Sequence, residues 1–258
     1  VGNSRMGAMV YGGTAREELQ LNDETMWGGS PYRNDKPEAL ESLPQVRELI
    51  FAGKNMEAQN LIQENFYAGK HGMPYQTIGS LIIETPGHEK VTDYYRDLDI
   101  AKAIATTRFT ANGVTYTREA YTSFPDQVLV IRLTASQKKS ISFTAKYTTP
   151  YKSNVVRSIS SRKELQLSGK ANDHEDIEGK VEFTALTRIE NSGGSLEATS
   201  DSTLQVKNAN SVTLYVSIGT NFVNYKDVSG NALSTAQKYL KQVNKNYAKN
   251  KAAHINAY

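Results

Sequence analysis

The sequence contains no cysteine in 258 residues. That excludes disulfides, thiolate nucleophiles and cysteine-ligated zinc together, and it leaves the compartment open, because many exported bacterial chains also lack the residue. Only one tryptophan is present, Trp27, and no apolar run approaches the ~20 residues that a membrane-spanning helix needs. An excess of one charge is missing too. The 30 basic residues face 27 acidic ones, a formal net charge of +3, and no lysine–arginine block stands out. A nucleic-acid partner therefore has no electrostatic footprint here. There is no Gly-x-Ser-x-Gly elbow, no His-Glu-x-x-His zinc helix and no phosphate-binding glycine loop. No cofactor is expected.

Fifteen tyrosines, with many threonine, serine and valine residues, favour strands. Residues 6–11 read as a short strand entering Gly12-Gly13, and 18–21 as a second. A polar loop follows over 22–37, and loops of that length in a compact domain carry function or cover something. Residues 38–66 change period. Val46, Leu49 and Ile50, then Met56, Ala58, Leu61, Ile62 and Phe66, recur at helical spacing and predict two helices. Pro44 is expected in the first turn of the first helix and Gly53 at its end.

From Gly79 onward strand signals dominate, over 81–83, 94–100, 104–111 and 114–123. Asn112-Gly113 between the last two is the strongest hairpin signal, since Asn-Gly supplies the positive φ angles of a type I′ turn. Strands at 128–135 and 141–147 are expected to pair across 136–140. Further strands are expected over 164–168, 180–189, 202–206 and 212–218. The expected fold is mainly β: a large antiparallel β-sandwich over 1–232 with a short helical insertion near 38–67. Residues 233–258 predict a C-terminal helix, with Ser234 and Gln237 as a capping box and Ala236, Tyr239, Leu240, Val243 and Tyr247 on one face. Two readings of that helix stand: a linker that leaves the sandwich, or a helix packed back on it.

Glycoside chemistry needs two carboxyl groups facing across a bond, and no pair declares itself by spacing. Asp23 and Glu24 suit loop anchoring by accepting backbone N–H groups. Asp126, after Pro125, suits a turn ahead of a strand. Asp173-His174-Glu175-Asp176 gathers metal-type ligands without calcium-loop spacing, so a solvated acidic loop is the simpler reading and no metal is expected. His71 and His88 fit surface or hydrogen-bonding roles. The loop 70–79 is more informative. It places His71, Tyr75 and Gln76 between backbone-shaping residues ahead of a strand, and sugar sites use such rings and amides. Trp27 before Gly28-Gly29 offers a ring for sugar stacking, with burial in the core as the alternative.

Six stretches in order carry a resemblance. Gly2-Asn3-Ser4-Arg5-Met6-Gly7-Ala8-Met9 is similar to a Gly-Asn-Gly-Arg-Leu-Gly-Ala-Met opening. Leu21-Asn22-Asp23-Glu24-Thr25-Met26-Trp27-Gly28-Gly29 is similar to Leu-Asn-Glu-Asp-Thr-Leu-Trp-Ser-Gly. Pro74-Tyr75-Gln76-Thr77-Ile78-Gly79, Tyr95-Arg96-Asp97-Leu98-Asp99, Tyr116-Thr117-Arg118-Glu119 and Ser123-Phe124-Pro125-Asp126-Gln127 continue the match. Together they resemble the N-terminal domain of glycoside hydrolase family 95, the α-L-fucosidases. Ser4, the Asp23-Glu24 order and Gly28 depart from the family pattern. The resemblance implies an N-terminal super-sandwich, a helical linker beginning near 233, and an (α/α)₆ barrel that is not in this sequence. In that family the barrel carries the acid and base for inverting hydrolysis of terminal α-1,2-linked fucose. No catalytic residue transfers to this chain. Trp27, His71, Tyr75 and Gln76 are the expected substrate-binding residues. The implied partners are a fucosylated oligosaccharide and the chain's own barrel, and the implied location is secreted, periplasmic or cell-surface. A free-standing carbohydrate-binding module and the same domain of an α-L-galactosidase are the alternatives.

Overall fold

The computed structural model describes residues 1–69, 71–152, 155–160 and 164–258, so Lys70 of the loop 70–79 lies outside the described residues. Strands β1 (Met6–Val10) and β2 (Arg16–Asp23) open the chain. On β2 every second residue is buried, Glu17, Leu19, Leu21 and Asp23, the period of a sheet with one face inward. A helical hairpin follows, α1 (Ala39–Phe51) and α2 (Asn55–Asn65). Then come β3 (Gly79–Glu84), β4 (Thr92–Asp99), β5 (Ile104–Ala111), β6 (Val114–Ser123), β7 (Val128–Ala135) and β8 (Ile141–Thr148). The remaining strands are β9 (Val155–Ile159), β10 (Leu165–Lys170), β11 (Glu182–Ser192), β12 (Ser195–Ala198), β13 (Thr203–Ala209) and β14 (Ser211–Thr220). Helices α3 (Ala232–Gln242) and α4 (Tyr247–Ala257) close the described chain.

The strands form two antiparallel sheets, β1-β2-β3-β8-β13-β12 and β4-β5-β6-β7-β14-β11-β10-β9. Their facing sides share one core that includes Leu19, Leu81, Phe143, Leu167, Phe183 and Val216. A hydrogen bond of 2.5 Å between the hydroxyls of Tyr147 and Thr187 joins the sheets inside it. Strand β14 is buried at nearly every position because it is covered twice. Val212, Leu214, Val216 and Ile218 face the sandwich core, while Tyr215 packs with Tyr121, Ala236, Leu240 and Val243 in a second cluster under the last helices.

The mainly-β sandwich and the β5–β6 hairpin at Asn112 (φ 50°) and Gly113 (φ 76°) match the sequence reading. Other expectations need correction. Strands β7 and β8 do not pair. β7 lies between β6 and β14, whereas β8 crosses to the other sheet between β3 and β13. Both strands have one apolar face to bury, and an arch between sheets serves that as well as a hairpin does. Pro44 lies inside α1 rather than at its start; the helix gains a turn before it, and Leu40, whose carbonyl the missing N–H would have met, sits at an exposed position. The apolar stripe of α2 is mostly outside: Ala58 is buried, but Met56 and Ile62 are exposed. The C-terminal segment is two helices. Asn231 caps α3 by accepting from the Ser234 N–H at 2.8 Å, so Ser234 is not the cap. Val243 then leaves helical geometry, and Asn246 caps α4 through the Lys249 N–H at 3.1 Å. Both helices pack on the outer face of the larger sheet, α3 over β14 and β11 and α4 over β6. His88 is buried, not on the surface, 4.3 Å from the Tyr116 ring centre and 5.5 Å from that of Phe109.

Asp126 holds α4 in place. Its carboxylate accepts from Asn250 Nδ2 at 2.8 Å, Ser123 Oγ at 2.9 Å and the Asn244 N–H at 3.2 Å. Asn250 in turn accepts from the Tyr121 hydroxyl at 2.7 Å.

Two outcomes follow from this packing. Helix α3 lies directly on Gly219, where an added Cβ would meet the Ala232 carbonyl and come within 2.7 Å of Ala236 N. Gly219→Ala should therefore lower the urea midpoint at unchanged slope, a loss of about 1–3 kcal/mol. Burial, with the Arg118 charge nearby, pushes the His88 imidazole below its ordinary value, and burial does the same to His254 against its bond to the Lys102 carbonyl. The unfolded chain then takes up protons first. Stability is complete above the ordinary imidazole value of about 6.5 and falls as pH drops below it. Thermal midpoints measured across that window should decline, and His88→Phe should flatten the decline.

Candidate functional site

Four loop segments meet at the end of the sandwich where β2 finishes. The two that flank the helical hairpin run side by side. The Gly28 N–H donates to the Pro74 carbonyl and the Gln76 N–H to the Met26 carbonyl, both at 2.9 Å, with Trp27 and Tyr75 bridged between them. The β10–β11 loop joins through Gly29, which donates to Asn172 O and accepts from the Lys180 N–H, both at 2.9 Å. The loop after β14 joins through Asn221, which donates to Lys180 O at 3.0 Å. Gly29 has φ +65°, and an added Cβ would lie 2.5 Å from Met73 Sδ, so this crossing of loops requires glycine.

The loops enclose a groove of about 270 Å³ lined chiefly by Trp27, Tyr32, Met73, Val181, Phe222 and Tyr225. Two of its polar edges are already engaged. Trp27 Nε1 donates to Glu24 O at 2.8 Å and the Tyr32 hydroxyl to His71 O at 3.0 Å. The rings themselves are exposed, Trp27 45% and Tyr225 74%, with Lys226 Nζ 5.1 Å from the Tyr225 ring centre.

Of the expected residues, Trp27 lines the groove. Tyr75 stands beside it, edge-on at 5.3 Å between ring centres and 76° between planes. Its hydroxyl donates to Asp23 O at 3.2 Å, and burial with the nearby Asp23 charge raises the phenol above its usual value. Gln76 turns to the β10–β11 loop, its Oε1 accepting from the Asn172 N–H at 3.1 Å. His71 sits on the exposed rim with Nδ1 2.6 Å from Glu175 Oε1, and its backbone N–H donates to Glu175 Oε2 at 2.6 Å. These bonds hold the Glu175 carboxyl below the usual range. Asp173, in the same acidic loop, accepts from the Gly179 N–H at 2.8 Å. The loop's carboxylates thus brace the backbone, and no group of three or more metal-type ligands gathers among the described residues. Tyr32, Phe222 and Tyr225 escaped the sequence reading. Their signal was aromatic residues in polar loops, the same that singled out Trp27.

Arg5 anchors the strand ends from which two of these loops leave. Its guanidinium donates to Asp23 Oδ2 at 2.8 Å, Ile218 O at 2.8 Å, Gln127 O at 2.9 Å and Gln127 Oε1 at 2.9 Å, and lies 4.5 Å from the Tyr239 ring centre. Asp23 also accepts from the Thr25 N–H at 3.1 Å and hydroxyl at 2.7 Å, and that hydroxyl is 2.7 Å from Thr220 Oγ1. Such an arrangement can position a ring and exclude water. It presents no pair of carboxylates to the groove. Asp23→Ala, which strands a guanidinium among carbonyls, should cost about 3–5 kcal/mol in denaturant titration. It should also shift Trp27 emission before global unfolding.

Residues 1–225 match the family described as glycosyl hydrolase family 65, N-terminal domain. The chain is 29% identical over 246 residues to alpha-L-fucosidase 2 of Arabidopsis thaliana, covering 86% of this chain and 28% of that protein. It is 31% identical over 143 residues to "Probable alpha-fucosidase A" of Aspergillus niger, covering 53% of this chain and 18% of that one. The chain thus spans no more than 28% of these relatives. The solved structure "Putative kojibiose phosphorylase from human microbiome" superposes with a TM-score of 0.56 at 12% identity, over 100% of this chain and 34% of that one, a likeness of fold alone. A sandwich with this match along most of its length is no isolated resemblance: the chain belongs to the glycosyl hydrolase family 65 N-terminal domain family.

Proposed function

We propose that residues 1–232 are the N-terminal accessory domain of a family 95 glycoside hydrolase that removes terminal α-1,2-linked fucose with inversion. Residues 233–258, packed on the outer face of the larger sheet, begin the linker to an (α/α)₆ barrel, which supplies the acid and base. The alignment with the plant fucosidase along 86% of the chain carries this reading. The site chemistry supports it: none of the five cavities described has two lining carboxylates, which glycoside hydrolysis needs on opposite sides of the bond. The domain's role is to hold the barrel and to lend the loops of Trp27, His71, Tyr75 and Gln76 to the substrate cleft. Trp27 and Tyr75 contribute rings, Gln76 braces the neighbouring loop, and His71 shapes the rim. The open aromatic groove favours a second reading, a free-standing carbohydrate-binding module.

An α-1,2-fucosylated oligosaccharide incubated with this chain and with the longer polypeptide separates them. Fucose should be released by the longer polypeptide alone, first as the β-anomer in proton NMR. Release by the 258-residue chain itself, or by neither, would overturn the proposal.

A further inference from the structure

The groove's chemistry selects one part of a branched glycan. Resting on the reading that the substrate is a fucosylated oligosaccharide, we infer that Trp27, Phe222 and Tyr225 form a stacking subsite for a neutral pyranose on the non-cleaved side of the scissile bond. Three observations carry this. No charged side chain lines the groove, so its complement is uncharged. Its volume of about 270 Å³ lies at the small end of ligand clefts, which begin near ~300 Å³, so it takes one ring rather than a chain. Its rings are exposed, with Lys226 Nζ 5.1 Å from the centre of the Tyr225 ring, while Trp27 Nε1 is engaged with Glu24 O and the Tyr32 hydroxyl with His71 O.

A sugar about to be cleaved must be oriented by hydrogen bonds and carboxylates at its anomeric carbon. No carboxylate lines this groove, and its polar contributors are the hydroxyls of Thr25, Ser30 and Tyr225. What it can hold is the C–H face of a pyranose that need only be kept in place. Phe222 and Tyr225 belong to the loop after β14 and Trp27 to the loop after β2, so the subsite spans both sheets. The node of Arg5 with Asp23 and Ile218 ties together the ends of the two strands from which these loops leave.

Trp27 is the sole tryptophan, so its emission reports on this groove alone. The 258-residue chain is titrated with lactose, with fucosylated lactose and with methyl α-L-fucopyranoside. Lactose and fucosylated lactose should shift the emission saturably at millimolar concentration, and the methyl fucoside should do so only more weakly. Tyr225→Ala, at a position 74% exposed and so free of folding consequences, should weaken binding about three- to tenfold, the contribution of one stacked ring. Tyr95→Ala, an exposed ring on β4, should leave it unchanged. No response to lactose, a response to the fucoside alone, or binding indifferent to Tyr225→Ala would overturn the inference. Fucose release by the longer polypeptide without lactose binding here would remove the subsite alone. Lactose binding without fucose release by either polypeptide would remove the fucosidase reading alone.

Discussion

Strand β2 carries a carboxylate at each end of its inward face, and the fold is arranged around keeping both paired. Glu17 and Asp23 are each 2% exposed, six residues apart, and so about 20 Å apart along the strand. A buried carboxylate left alone costs several kcal/mol, so each needs a partner that reaches into the sandwich. At one end Arg118 of β6 approaches Glu17 at 3.3 Å and donates to the carbonyls of Gly13 and Thr14. At the other end Arg5 meets Asp23. Both guanidiniums join elements of one sheet to elements of the other. With Leu19 and Leu21 between them, β2 is clamped at both ends and packed in the middle.

The two clamps differ in what they serve. At the Glu17 end, burial raises the carboxyl above its usual value despite the Arg118 charge, and the bonds go to backbone turns. That end stabilises a loop. At the Asp23 end the same carboxylate also takes the Thr25 N–H and hydroxyl, which sets the start of the loop carrying Trp27. Structural pairing and site positioning are therefore one network there. Ser4, just before Arg5, holds φ at 77°, where the family pattern has glycine, so the clamp is kept even where its backbone is unfavourable.

The sandwich is backed by helices α3 and α4 on its larger sheet, and the Trp27 groove lies in loops at one end of it. Those loops turn rings to the groove and use Asp173 and Glu175 to brace backbone. The exposed apolar residues of the hairpin, Leu40, Ile50, Phe51 and Met56 among them, extend from the same loops.

Much of this was legible from residue order alone. The Asn112-Gly113 turn, the extent of β5 and β6, the two helices between β2 and β3, and the position of Trp27 and Tyr75 in loops all follow from local rules of turn chemistry and period. Local rules cannot say which sheet a strand joins. That is why β7 and β8 read as a hairpin, and why the clash-free seat of α3 on Gly219 was invisible. Nor can they bring Phe222 and Tyr225 to Trp27 across some two hundred residues of chain. The sequence by itself determined most of the strands and the family, but not β9 or β12. Tertiary packing alone decided which loops share an end and which carboxylates meet an arginine, because those choices depend on burying apolar faces far apart in the chain.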